Sequence, residues 1–188
     1  MTHRRELLGL APAAIVLAIA PAAPVLATVY LSDDAALRGL FSQADAFEPA
    51  TITLNDAQRA AIAKDGGPQA AHGTLRAWTA RRAGQVIGHV FIDQVVGRQD
   101  FITYGVGIDA AGKLRPVQIL EYRESHGGEI RNARWLAQFD GRASVQALRF
   151  GTDIKNIAGA TLSSEHVTAG VRRILAIWQS AFAPRAGG

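Results

Sequence analysis

Thr74-Leu-Arg-Ala-Trp-Thr-Ala-Arg81 alternates along its length, and Gln85-Val-Ile-Gly-His-Val-Phe-Ile-Asp-Gln-Val-Val96 follows it as a β-branched, apolar run. Side chains alternate between the two faces of a strand, so both stretches predict strands. Ala83-Gly84 between them is a turn. Gly97 to Asp100 is a second turn, and Phe101-Ile-Thr-Tyr-Gly-Val-Gly-Ile-Asp109 a third strand. Ala111-Gly112 signals another hairpin, with Lys113 to Tyr122 as the fourth strand. Successive strands joined by short turns predict an antiparallel sheet, because parallel neighbours need long crossovers.

Helical patterns lie on both sides of this block. Downstream, Asn132 to Phe139 reads as helical. The last helix carries Val167, Val171, Ile174, Leu175, Trp178 and Phe182 on one face. Upstream, Ser32-Asp33-Asp34 and Asn55-Asp56 are N-cap signals for two short helices, the second stopped by Asp65-Gly66-Gly67-Pro68. The expected fold is therefore α+β: an antiparallel sheet packed by helices, with a long C-terminal amphipathic helix. Residues 28–73 are expected to be an N-terminal helical extension, 74–183 the main domain and 184–188 a tail. Trp178 belongs to the apolar stripe and so to the core. Trp135 has two readings, core packing or stacking on a ligand, and Tyr104 carries no separate signal.

Residues 1–27 form a different unit. His3-Arg4-Arg5 precedes an apolar run, and Pro21-Ala-Ala-Pro-Val-Leu-Ala27 ends it in small residues. A basic start, an apolar middle and a small-residue end predict a signal peptide cut after Ala27. Pro12, Pro21 and Pro24 interrupt the apolar stretch, which favours a cleaved leader over a membrane anchor. Arg4-Arg5 also resembles a twin-arginine signal, so Sec and twin-arginine export both stand. The expected location is the periplasm or the extracytoplasmic face of the membrane.

Composition removes other functions. The chain has 188 residues and no cysteine, which excludes disulfides, c-type haem attachment, Cys-ligated iron–sulfur clusters and a lipoprotein anchor. A net charge of +4 without a dense basic patch gives no footprint for nucleic acid. Five histidines without a paired ligand motif give no metal site.

The segment Asp153-Ile-Lys-Asn-Ile-Ala-Gly-Ala-Thr-Leu-Ser-Ser164 is a small-residue loop that opens the last helix. Gly159 and Ala160 leave the Thr161 hydroxyl uncrowded, and Ser163 or Ser164 is placed to cap the helix. Such a helix start is either an ordinary cap or a phosphate site.

Gly159-Ala160-Thr161-Leu162-Ser163 resembles the attachment motif of the FMN-binding domain family, roughly Asp-x-x-Ser/Thr-Gly-Ala-Thr-x-Ser/Thr. That family includes flavin-bearing subunits of sodium-translocating quinone reductases and Rnf-type complexes. Glu121-Tyr-Arg-Glu-Ser-His-Gly-Gly-Glu129 is similar to the family's Glu-Thr-Pro-Gly-x-Gly loop near the flavin ring, with Glu124, Ser125 and Gly127 in matching places. The resemblance spans about residues 85–182. It implies FMN held as a phosphoester on Thr161, with Gly159, Ala160, Leu162, Ser163, Glu124, Ser125 and Gly127 around it, and no catalytic triad. It also implies maturation by a FAD:protein FMN transferase, a membrane or periplasmic redox partner, and an electron carrier rather than a stand-alone enzyme. Gly127 is expected where the ring approaches the backbone.

The chain departs from the motif at two places. Its Asp falls on Lys155 and its Ser/Thr on Ala158, with Asp153 two residues early. His126 is a further candidate for hydrogen bonding the flavin, and Glu124 with Glu129 for a carboxylate pair. Alternative functions are a noncovalent FMN binder, a non-redox exported binding module, and a hydrolase using Thr161 or Ser163 with His166.

N-terminal sequencing of exported material should read from Thr28. Replacing Arg4-Arg5 by Lys-Lys should block export by the twin-arginine route and leave Sec export largely intact.

Overall fold

A computed structural model describes residues 28–65 and 74–183. The leader, the Gly66-Gly67-Pro68 stop and residues 184–188 lie outside these described residues.

The hairpins form where turn chemistry and alternation coincide. Strand β3 (Arg76–Arg82) pairs antiparallel with β4 (Gln85–Val96). Between them Ala83 and Gly84 have φ of 49° and 76°, the paired left-handed geometry that suits a two-residue hairpin. Strand β4 pairs antiparallel with β5 (Phe101–Asp109), which pairs with β6 (Gln118–Tyr122).

Residues 28–73 contribute more than helices. Strand β1 (Thr28–Val29) adds to β6 at one edge, and β2 (Ala46–Pro49) adds to β3 at the other. The six strands run in the order β1-β6-β5-β4-β3-β2. These edge strands are too short to show alternation in sequence.

The fourth strand also starts later than Lys113. The Leu114 amide donates to the Arg142 carbonyl at 2.8 Å, and Pro116 has no N–H to offer a ladder. Residues 113–117 therefore form an irregular link that ties the sheet to the chain around residue 142.

Both faces of the sheet are buried, which accounts for the nearly continuous apolar run in β4. Helix α1 (Asp33–Leu40), capped by Ser32, lays Ala36, Leu37 and Leu40 against Val90, Ile92 and Leu120. The opposite face presents Phe91, Val95, Ile102, Val106 and Ile108 to helix α4 (Thr161–Ala181). Val167, Val171, Ile174, Leu175 and Trp178 of α4 are all buried, as their spacing predicts, and Phe182 packs at the margin. The Trp178 indole donates to His89 at 3.1 Å. Helix α2 (Asp56–Asp65) is closed by reciprocal bonds between Asn55 and Gln58, and the Gln58 side chain also donates to the Ser180 carbonyl at 2.6 Å.

One polar cluster lies under α4. The Tyr104 hydroxyl donates to Asp93 at 2.6 Å, and Arg173 of α4 pairs with the same carboxylate oxygen. Burial, then the charge on Asp93, pushes the Tyr104 phenol well above its ordinary value. Gly170 makes room for this cluster, since a Cβ there would lie 2.0 Å from the Tyr104 oxygen.

Gly170→Ala should therefore destabilise the fold by about 1–3 kcal/mol, although alanine is the better helix former. Urea denaturation compared with the wild type checks this.

Candidate functional site

Three chain segments meet at the N-terminal end of α4. The first is the β4–β5 turn, residues 97–100. One oxygen of the Glu124 carboxylate accepts the backbone amides of Arg98, Gln99 (2.6 Å) and Asp100 (3.0 Å). Convergent amides make a small anion cradle, and here the protein's own carboxylate fills it. Glu124 thereby fixes the turn, and the turn places Arg98 and Gln99 at the site.

The second segment is the loop after β6. The Tyr122 hydroxyl donates to the His126 carbonyl at 2.5 Å and lies 3.3 Å from the Ser163 hydroxyl. Burial raises the Tyr122 pKa above its ordinary value, with Glu124 and Glu129 adding to the rise and the Ser163 hydrogen bond opposing it. The phenol is thus a neutral donor at ordinary pH. Gly127 has φ +87°, and a Cβ there would lie 2.6 Å from the Tyr122 oxygen and 3.3 Å from Ala160 Cβ. Gly127 is therefore required where the two loops touch, since protein atoms already crowd the place a Cβ would take. Ser125 hydrogen-bonds His126 Nδ1 at 3.0 Å.

The third segment is the loop that enters α4. A short helix α3 (Ala133–Leu136), capped by Asn132, continues as a tighter turn through Phe139. It fastens the loop by its backbone. The Trp135 indole donates to the Lys155 carbonyl at 2.6 Å, and the Lys155 amide donates to Gln138 at 2.9 Å. Trp135 is 5% exposed and lies edge-on to Phe139, so its role is packing and anchoring. Gly159 takes a left-handed φ of +85° with open space around it, and α4 begins at Thr161.

Neither serine caps α4. The cap position is Ala160, and no side chain caps the helix. Because the helix starts at Thr161, Ser163 and Ser164 lie inside its first turn and their hydroxyls turn elsewhere. Ser163 meets Tyr122, and Ser164 donates to the Thr161 carbonyl at 2.9 Å. The first intrahelical bond runs from the Ser164 amide to the Ala160 carbonyl. The amides of residues 161–163 thus precede the helical ladder and point out of its end. Asn156 bridges the turn: its amide donates to Thr161 Oγ1 at 3.2 Å, and its oxygen accepts from Ser164 at 3.2 Å.

These segments enclose an open cavity of about 620 Å³. Arg98 and Gln99 form one wall and Glu124, Ser125 and His126 another, with Gly159 to Ser163 as the floor. Every site residue expected from the sequence lines it except Gly127, which stands behind the wall. Thr161 is exposed, and Leu162 is a large apolar side chain left 45% exposed. Arg98 forms no ion pair among the described residues.

Other candidates lie elsewhere. Glu129 faces a neighbouring cleft with Trp135 and Lys155, so it makes no pair with Glu124 in this cavity. Asp153 binds the Arg149 side chain and amide, which hold its carboxyl down at about 2. It is therefore no substitute for the motif's Asp. His166 Nδ1 donates to the carbonyls of Val96 (2.6 Å) and Gly97 (3.2 Å), while Ser163 meets Tyr122. These bonds leave Ser163 and His166 without the nucleophile–base link that a hydrolase needs.

Residues 97–176 match the family model of the FMN-binding domain. Over 114 residues, 55% of this chain, the sequence is 27% identical to a subunit of the ion-translocating oxidoreductase complex of Stutzerimonas stutzeri. The chain spans about half the length of that relative, 50%. Residues 97–176 are thus similar to the FMN-binding domain, and FMN is the cofactor this similarity supports.

The cavity suits that group. The free helix amides, the Arg98 guanidinium and the Ser125 and Thr161 hydroxyls are donors for an anion. Glu124, the acid in the wall, already directs one oxygen to the turn. The volume is ample for a flavin nucleotide.

Tyr122→Phe should cost about 1 kcal/mol of stability, the net worth of a lost hydrogen bond. Gly127→Val should cost more, because it adds backbone strain to the contact with Tyr122. Denaturant midpoints of the two variants check the order.

Proposed function

We propose that this chain is an exported electron carrier that holds FMN as a phosphoester on Thr161. The observation that carries the reading is the position of Thr161. Its hydroxyl is exposed at an uncapped helix start, in the cavity that also gathers Arg98 and the Glu124–His126 loop. A second protein can reach such a hydroxyl, and the helix end favours a phosphate beside it.

Attachment follows from the chemistry of the hydroxyl. Thr161 Oγ1 attacks the flavin-side phosphorus of FAD, and the pyrophosphate P–O bond to AMP breaks. AMP leaves, and the threonine proton passes to a base of the transferase. Magnesium and the catalytic groups belong to that enzyme. Once attached, the amides of residues 161–163 and Arg98 hold the phosphodiester charge, and Leu162 offers an apolar surface to the ring. Bound FMN supplies one- and two-electron transfer.

Residues 1–27 support export, and a covalent tether keeps the flavin from being lost by dissociation outside the cytoplasm. Likeness to part of an ion-translocating oxidoreductase complex supports a membrane redox partner.

Intact-mass measurement of protein exported beside the transferase should show a gain equal to FMN less water, with fluorescence that survives denaturation. Thr161→Ala should abolish both while changing stability by less than about 0.5 kcal/mol, since the hydroxyl is exposed. Thr161→Ser should retain loading. Flavin still attached to Thr161→Ala would refute the assignment.

A further inference from the structure

The family motif places an acid and a hydroxyl residue ahead of Gly-Ala-Thr, and this chain has Lys155 and Ala158 there. Neither takes over a polar contact to the acceptor. The Lys155 ammonium donates backward to the Thr152 carbonyl at 3.1 Å, and Ala158 has no polar side chain. The side chain that touches Thr161 is the one between them, Asn156.

We infer that Asn156 is the positioning residue that presents the Thr161 hydroxyl for phosphorylation by the flavin nucleotide. This rests on the Thr161 attachment proposed above. The Asn156 amide N–H, 3.2 Å from Thr161 Oγ1, occupies one lone pair of that oxygen. The hydroxyl proton and the remaining lone pair are then free toward the cavity, where the phosphate arrives. The amide does not swing freely, because its oxygen accepts from Ser164, a fully buried residue at 0% exposure. The Ser164 proton is shared with the Thr161 carbonyl at 2.9 Å, so one buried hydroxyl lies against both the backbone of Thr161 and the side chain that orients it.

A neutral donor suits both ends of the reaction. Before it, the N–H selects a rotamer of Thr161. After it, the same N–H faces an ester oxygen and a phosphodiester that carries a negative charge. A carboxylate in its place would accept the threonine proton but repel the incoming phosphate. Atoms balance as above: the Oγ1–P bond forms, AMP leaves, and Asn156 neither gives nor takes a proton.

The test uses the full chain as wild type, Asn156→Ala and Asn156→Asp. Each is incubated with FAD, magnesium and the transferase and followed by intact mass. Asn156→Asp keeps an acceptor for Ser164 and replaces the N–H toward Thr161 by a charged oxygen, so it tests loss of the orienting donor together with the added repulsion of phosphate, even where the alanine variant folds poorly. Both variants should load about five- to tenfold more slowly, as expected for one lost orienting hydrogen bond, with the Asn156→Asp denaturation midpoint unchanged. Asn156→Asp loading at the wild-type rate would overturn the inference and leave the attachment standing. A wild-type chain that gains no mass would overturn the attachment and this inference with it.

Discussion

The site depends on a single phenol. Tyr122 ends β6, and its hydroxyl reaches the carbonyl of His126 in one loop and the hydroxyl of Ser163 in the first turn of α4. Strand, loop and helix are thereby held by one polar atom that is buried and stays protonated. The short reach of a hydrogen bond sets the spacing of the two loops. Gly127 then follows as a necessity, because a larger residue would occupy the space the phenol needs. The cavity is what remains between parts that this contact has already brought together.

Glu124 plays a comparable double part on the other side. The family resemblance places it near the flavin, and the structure puts it in the cavity wall. Its carboxylate nevertheless serves the β4–β5 turn first, by taking the amides of Arg98, Gln99 and Asp100. An acid in an anion site is unfavourable when its charge is free. Here backbone donors absorb part of that charge, and the turn delivers the Arg98 cation beside it.

Legibility in the sequence follows the range of the interactions. The hairpins of β3, β4 and β5 rest on turn dipeptides and alternation, and the buried face of α4 on spacing along one helix; both are local and both can be read. The two loops around Thr161 are recognisable because each is a contiguous motif. What joins them is not. Tyr122 reads as an ordinary strand residue, Arg98 and Gln99 as an ordinary turn, and Asn156 as a loop amide; their roles come from partners brought to them by the fold. The edge strands β1 and β2 give no signal because two and four residues carry no period. The helix start departs from its sequence signal because serines after a glycine suggest caps, whereas the left-handed Gly159, followed by Ala160 at the cap position, lets α4 begin at Thr161.

The loop ahead of Thr161 is gripped by its main chain. Trp135 and Gln138 hold the backbone of Lys155, and Arg142 spans the carbonyls of Gln138, Ala147 and Asp153. Much of its shape is therefore dictated by scaffolding outside it, with Asp153 and Asn156 as the side chains of the loop that add to the hold. Lys155 and Ala158, where the family motif has an acid and a hydroxyl, sit within that frame. The floor of the cavity is thus held in place from outside, and its position relative to the Glu124–His126 wall is set by the scaffold rather than by the residues it displays.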